Sequence, residues 1–163
     1  MPIPTRPVDG AATETEWGQA VHDAVFTPHG ARVSGGASSS VGTTLAQLQL
    51  NTTVDDPGGW LASDALTVPV GAGRLYFVSL EVQTDNGSVG ERTRVQVRVN
   101  GAGVRGFFID NNGATAETDS RGFIYPLDAG DVITVYGAKT GGTNPDVLVR
   151  ALDVIELGYE IGA

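Results

Sequence analysis

The stretch Arg74 to Val82, RLYFVSLEV, constrains the fold most, because in an extended conformation it is apolar on both faces. Side chains alternate across a strand, so Leu75 and Phe77 take one face while Tyr76, Val78, Leu80 and Val82 take the other. A strand wanted on both sides lies deep in a β-rich fold. Gly71-Ala72-Gly73 before it and Asp85-Asn86-Gly87 after it are turn formers, and its aromatic and β-branched content suits a packed sheet. The stretch reads as a central strand and not as a helical segment.

A chain of 163 residues holds one full domain plus a short appendage. With no cysteine, disulfides, cysteine metal sites and cysteine nucleophiles are excluded. Two histidines, His22 and His29, are too few for a histidine-rich metal centre and read as ordinary polar residues, so no metal and no cofactor is expected. A net charge of -9 argues against nucleic acid, whose phosphates need a basic face. No apolar run reaches the length of a membrane helix, and MPIPTRPVDG lacks the charged-then-apolar order of a secretory signal, so a soluble protein made in a cytosol is expected, without membrane insertion.

The chain opens with Pro2, Pro4 and Pro7, which read as an extended arm. Thr13 and Glu16 then form a capping box, and Trp17, Val21, Ala24 and Val25 recur at helical spacing until Pro28 and Gly30 stop the helix. About three turns are too few to be stable alone in water, so the stripe must dock on its own β domain, on another copy or on another protein. Pro4, Pro7, Trp17, Val21, Val25 and Phe26 are the anchor and docking candidates. Residues 32–42, RVSGGASSSVG, read as a flexible Gly/Ser-rich linker or a loosely held edge segment. The expected division is therefore 1–31 anchor, 32–42 linker and 43–163 head.

From residue 43 onward the pattern is that of strands. Leu48 and Leu50 alternate before an Asp55-Asp56-Pro57-Gly58-Gly59 turn, and Leu66, Val68 and Val70 alternate after Trp60. ERTRVQVRVN sets Val95, Val97 and Val99 against Arg94, Gln96 and Arg98, a half-buried antiparallel strand that ends in the hairpin signal Asn100-Gly101. VRGFFID, RGFIYPL, DVITVYGA and a closing strand within residues 147–159 follow, with residues 111–120 as a polar loop. About eight to ten strands at this spacing indicate an all-β sandwich or barrel.

Gly101-Ala-Gly103-Val-Arg-Gly106 matches the dinucleotide-binding fingerprint in letters alone. The fingerprint needs its glycines to open a helix, whereas Phe107-Phe108-Ile109 begin a strand, so a hairpin loop is expected. Asp110-Asn111-Asn112-Gly113 and Asp85-Asn86-Gly87 resemble fragments of calcium loops without the ligand spacing or the distal Glu, and turn chemistry accounts for them. Acidic residues are spread through turns, with no legible carboxylate pair, Ser/His pair or Lys in an apolar setting, so a non-enzyme is expected. Trp60, Phe107 and Phe108 are the candidate ligand-facing aromatics of a carbohydrate-binding module.

Val68-Pro69-Val70-Gly71-Ala72-Gly73 leading into Leu75 to Val82, then Val99-Asn100-Gly101, then Leu127-Asp128-Ala129-Gly130-Asp131-Val132-Ile133-Thr134-Val135, resemble blocks of the jelly-roll family of complement globular heads and tumour-necrosis-factor-like ligands. The resemblance spans Ala65 to Tyr159 and departs from the family at Arg150-Ala-Leu-Asp-Val-Ile-Glu-Leu in the closing strand. It implies an antiparallel jelly-roll sandwich and a tight homotrimer, with Leu75 and Phe77 facing the three-fold axis. Pro4-Thr-Arg-Pro-Val-Asp-Gly and Thr15-Glu-Trp-Gly-Gln-Ala-Val-His-Asp23 resemble the start of small virion proteins of tailed bacteriophages of actinobacteria. That resemblance implies a virion structural protein assembled in host cytoplasm, partnered by other tail or capsid proteins and possible host-surface glycans. A minor tail or tail-tip position is the first expectation, capsid decoration the second and a carbohydrate-binding module the third.

Overall fold

The computed structural model describes residues 30–70, 74–85, 87–112 and 116–157. The predicted arm and helix, with all six anchor candidates, lie outside the described residues. The described residues form twelve strands, in order β1 (Gly30–Ser34), β2 (Ser39–Ser40), β3 (Ala46–Gln47), β4 (Thr52–Asp55), β5 (Leu61–Ala62), β6 (Ala65–Thr67), β7 (Arg74–Asp85), β8 (Arg92–Val99), β9 (Ala102–Asp110), β10 (Glu117–Leu127), β11 (Val132–Lys139) and β12 (Asp146–Glu156). No helix occurs among the described residues.

The strands form two antiparallel sheets packed as a sandwich. The first runs β10-β7-β12-β1-β4, with β2 also on β12; the second runs β5-β6-β11-β8-β9, with β3 also on β11. This is the jelly-roll class expected from the sequence. Its core is what the alternation requires: Tyr76, Val78, Leu80 and Val82 of β7 and Val95, Val97 and Val99 of β8 are all buried. Asn100 and Gly101 carry φ of 51° and 78°, the mirror-image turn that fits the twist of a two-residue hairpin. The glycine-rich letters of residues 101–106 thus belong to a hairpin and to β9, not to a nucleotide loop.

Two expectations need correction. Residues 32–42 are not a linker: Arg32 to Ser34 lie in β1, Ser39-Ser40 pair with β12, and Val33 and Val41 are buried. Val33 fills the inner face opposite Leu152, which two isolated valines in a Gly/Ser run did not disclose. The loop expected over residues 111–120 is shorter, because β10 starts at Glu117 and pairs along β7 from Thr84 to Arg74. The closing strand carries a register irregularity between Val149 and Ala151, which lets Val149 and Leu152, three residues apart, both enter the core.

One polar cluster lies at the inner end of β7. Arg74 Nη1 meets Glu156 Oε1 at 2.5 Å, with side chains only 12% and 7% exposed. Tyr76, directly across from Glu156 in register, is fully buried and stands edge-on to Trp60 at 5.7 Å between ring centroids. Burial raises the Tyr76 hydroxyl from 10.0 to about 12, the Glu156 carboxylate adds to the rise and Arg74 opposes it. The folded protein therefore holds a proton that the unfolded chain releases from pH 10.0 upward, so this contribution is complete below pH 10.0 and is lost as pH rises through about 12. Denaturant melts across that window should show stability falling by about 2 kcal/mol. A Tyr76→Phe protein should lose that part of the slope, and an unchanged slope would refute the assignment.

Candidate functional site: the outer face of the first sheet

The outer face of the first sheet is where β7 spends its second apolar side. Opposite residues across four strands form one row: Ile124 on β10, Phe77 on β7, Ile155 on β12 and Gly30 on β1. Ile124 is 59% exposed, Ile155 43% and Phe77 37%. Leu75, half-buried, and Pro126 form the next pair outward, and Leu157 follows, its N–H donating to Leu75 O at 2.9 Å.

Two glycines shape this face. A Cβ on Gly122 would come within 2.6 Å of Phe77 Cζ, so the Phe77 ring lies across the bare backbone of β10. A Cβ on Gly30 would lie 2.0 Å from Val154 O, so only glycine lets β1 press so closely on β12 there. Beside Gly30 the apolar row runs into a groove of about 370 Å³ lined by Gly30, Arg32, Val54, Asp55, Asp153 and Ile155 among others. Its polar wall is the Arg32–Asp153 pair at 3.2 Å, with Asp55 opposite Arg32 in register.

The apolar row occupies one end of the sheet. One step along, the outward residues are Ser79, Asp153 and Arg32, and beyond them Ser120, Glu81 and Gln83. The described residues of this face offer apolar area bordered by a polar margin, which is the pattern of a contact surface. Among the described residues no group of three or more His, Asp or Glu is arranged to hold a metal. Asp110 is tied to Arg92 at 2.7 Å, while Asn111 is buried, its Oδ1 accepting from Thr93 Oγ1 at 3.2 Å.

Leu75 and Phe77 lie together on this outer face. Ile124 and Ile155, which extend the row, were missed in the sequence. The signal for Ile124 was available: in RGFIYPL, Phe123 and Tyr125 take one face and Ile124 the other, the same two-sidedness as in β7.

The three candidate ligand-facing aromatics separate. Trp60 is 2% exposed, its backbone N–H held by Asp56 Oδ1 at 2.7 Å and its ring against Tyr76, so it is a core residue and cannot present a face to a ligand. Phe107 is half-buried against the core, with the Arg121 guanidinium 5.6 Å from its ring centroid across the gap between β9 and β10. Phe108 is 50% exposed on the outer face of the second sheet, far from the apolar row.

No protein-family model matches the chain, and no curated protein sequence matches it. Solved structures do. The globular domain of zebrafish complement 1qA aligns at a TM-score of 0.60 and 15% identity, covering 80% of this chain and 98% of that one. Murine APRIL aligns at 0.59 and 14% identity, covering 80% and 99%, and the PRD1 vertex protein P5 at 0.55 and 14%, covering 79% and 96%. At such identities the likeness establishes the jelly-roll fold and nothing finer.

In a Trp17→Phe protein, the remaining Trp60 should emit at short wavelength and resist acrylamide quenching. Trp60→Ala should cost about 3–5 kcal/mol of stability in denaturant melts, as for other large core aromatics. Emission like that of free tryptophan would place Trp60 back at the surface.

Proposed function

We propose that the chain is a non-enzymatic structural protein of a phage particle, displayed as a homotrimeric jelly-roll head whose protomers meet through the outer face of the first sheet. The observation that carries this reading is the row Ile124–Phe77–Ile155, with Leu75, left open to solvent on a two-sided strand. Hydrophobic burial in a three-fold assembly removes that exposure through one head-to-tail contact repeated around a closed ring. Likeness in fold to the PRD1 vertex protein supports a virion setting, as does the N-terminal resemblance to small actinobacteriophage virion proteins. The anchor to the particle, expected over residues 1–31, is cut back to 1–29 because Gly30 and Ala31 belong to β1, with Pro4, Pro7, Trp17, Val21, Val25 and Phe26 as its docking residues.

The lead position is a minor tail or tail-tip protein. Capsid decoration is the second reading, favoured by the same vertex-protein likeness. Immunogold labelling of particles with an antibody to the head separates the two.

The wild-type protein should show by light scattering a mass three times that of the 16.8 kDa chain. Phe77→Arg combined with Ile124→Arg should give a folded monomer, because both side chains already face solvent in one protomer and the charges matter only where copies meet. A wild-type monomer, or a double variant that stays trimeric, would overturn the assembly. Deleting residues 1–29, which leaves β1 intact, should yield a trimer that no longer joins particles; normal incorporation would remove the anchor role.

A further inference from the structure

The outer face of the second sheet carries different chemistry. Arg94, Gln96 and Arg98 project from β8, facing Phe108, Gly106 and Gly103 of β9 in register. A groove of about 350 Å³ runs between them, lined by Arg94, Gln96, Gly103, Arg105, Gly106 and Phe108 among others. A Cβ on Gly103 would fall 2.1 Å from Gln96 Nε2, so the Gln96 amide lies directly over a bare stretch of backbone.

The arginines here stand apart from the rest. In a chain with 19 acidic residues, Arg32, Arg74, Arg92 and Arg121 hold carboxylates at 3.2, 2.5, 2.7 and 2.6 Å. Among the described residues Arg94, Arg98 and Arg105 hold none, and of the other arginines only Arg150, on the irregularity of β12, shares that condition. Arg98 is nonetheless fixed: its Nε donates to Gln96 Oε1 at 2.9 Å, and its guanidinium lies 4.3 Å from the centroid of the Tyr136 ring on β11. Asp110, two residues beyond Phe108 on β9, is held by Arg92.

We infer that this groove is a binding site for an acidic saccharide, a sugar ring bearing a carboxylate or a phosphate. Arg94, on the same outward row as Gln96 and Phe108, supplies free guanidinium N–H groups for the anionic substituent, the bidentate geometry suited to both groups. Phe108 supplies an exposed aromatic face for the ring, Gln96, seated over Gly103, a side-chain amide for hydroxyls, and Gly106 a floor without a side chain that lets the ring approach the backbone. The volume suits one or two sugar rings. A nucleic acid fits less well: its charged backbone would run past the groove onto a protein of net charge -9. The site is built within one protomer and on the sheet opposite the proposed trimer face, so it stands whether or not the protein is trimeric.

The test is amide-shift NMR titration of the full chain with digalacturonate, glucose 6-phosphate, maltose and a short oligothymidylate. Digalacturonate, glucose 6-phosphate or both should perturb residues 94–98 and 103–108, weaken as ionic strength rises, and bind at least about tenfold more tightly than maltose. Response to digalacturonate alone assigns a carboxylate ligand, and response to glucose 6-phosphate alone assigns a phosphate ligand. Arg94→Ala should weaken binding by about tenfold, with the melting temperature unchanged since the side chain is exposed. Phe108→Ala should weaken binding of the acidic saccharide by about tenfold. Equal binding of maltose, tighter binding of oligothymidylate, shifts elsewhere on the surface, or no response to either acidic sugar would each overturn the inference. Repeating the titration on the Phe77→Arg, Ile124→Arg protein separates its failure from that of the trimer.

Discussion

The pairing of β7 with β12 is the interaction on which the rest of the sandwich depends. It runs from Asp85 opposite Asp146 to Tyr76 opposite Glu156, joining segments far apart in the chain, and the remaining members of the first sheet attach to it on either side. β10 lies along β7, and β1 along β12. A slip of one residue would turn every side chain to the wrong face, exposing Val78, Leu80, Val149 and Val154 together. The Arg74–Glu156 pair adds a second constraint at the far end, since a slipped register would leave a buried carboxylate without its cation. Such a pair contributes little over a well-packed apolar substitute, but breaking it costs about 3–5 kcal/mol, so its main effect is on which register is chosen.

The two sheets share one core and present opposite chemistries outward. On the first sheet the outward row is aliphatic and aromatic where β7, β10 and β12 meet; on the second it is cationic and amidic along β8, with a glycine-rich partner strand. Alternation explains how both come from short sequences: VQVRV gives valines to the core and Gln96 and Arg98 to the surface, while LYF gives only the central tyrosine to the core. One sheet is therefore suited to being covered by protein and the other to remaining in water. In the proposed trimer the cationic groove stays on the exposed side of each protomer.

Much of this architecture was legible in the sequence because it rests on periods and on turn chemistry. The alternation of residues 74–82 and 91–100, the mirror-image Asn100-Gly101 turn and the spacing of strands all follow from local rules, and they fixed the fold class. What stayed hidden depends on long-range partners. Val33 and Val41 look like stray valines until β12 supplies the surface they pack on, and Trp60 looks available to a ligand until Tyr76 is seen to stand against it. The irregularity at Arg150 was visible only as a departure from the family pattern; the three-residue gap between two inward side chains gives the reason. The cationic groove was missed because its aromatic, Phe108, had been grouped with two residues that turn inward.

The end of β7 inverts the usual arrangement of a sheet strand, in which charge faces water and apolar groups face the core. Beneath the backbone lie Arg74, Tyr76 and Glu156, polar and buried; above it lie Leu75, Phe77, Ile155 and, beyond them, Leu157, apolar and open. Apolar cover on the outside would keep water from the strand ends that hold the ion pair, and so strengthen the electrostatics within. Association through this face would thus stabilise the same β7–β12 register that creates it, by mass action on the folded protomer and by further drying the pair at its end. The strand that is apolar on both faces in the sequence is, on this view, one whose outer face completes the conditions its inner face needs.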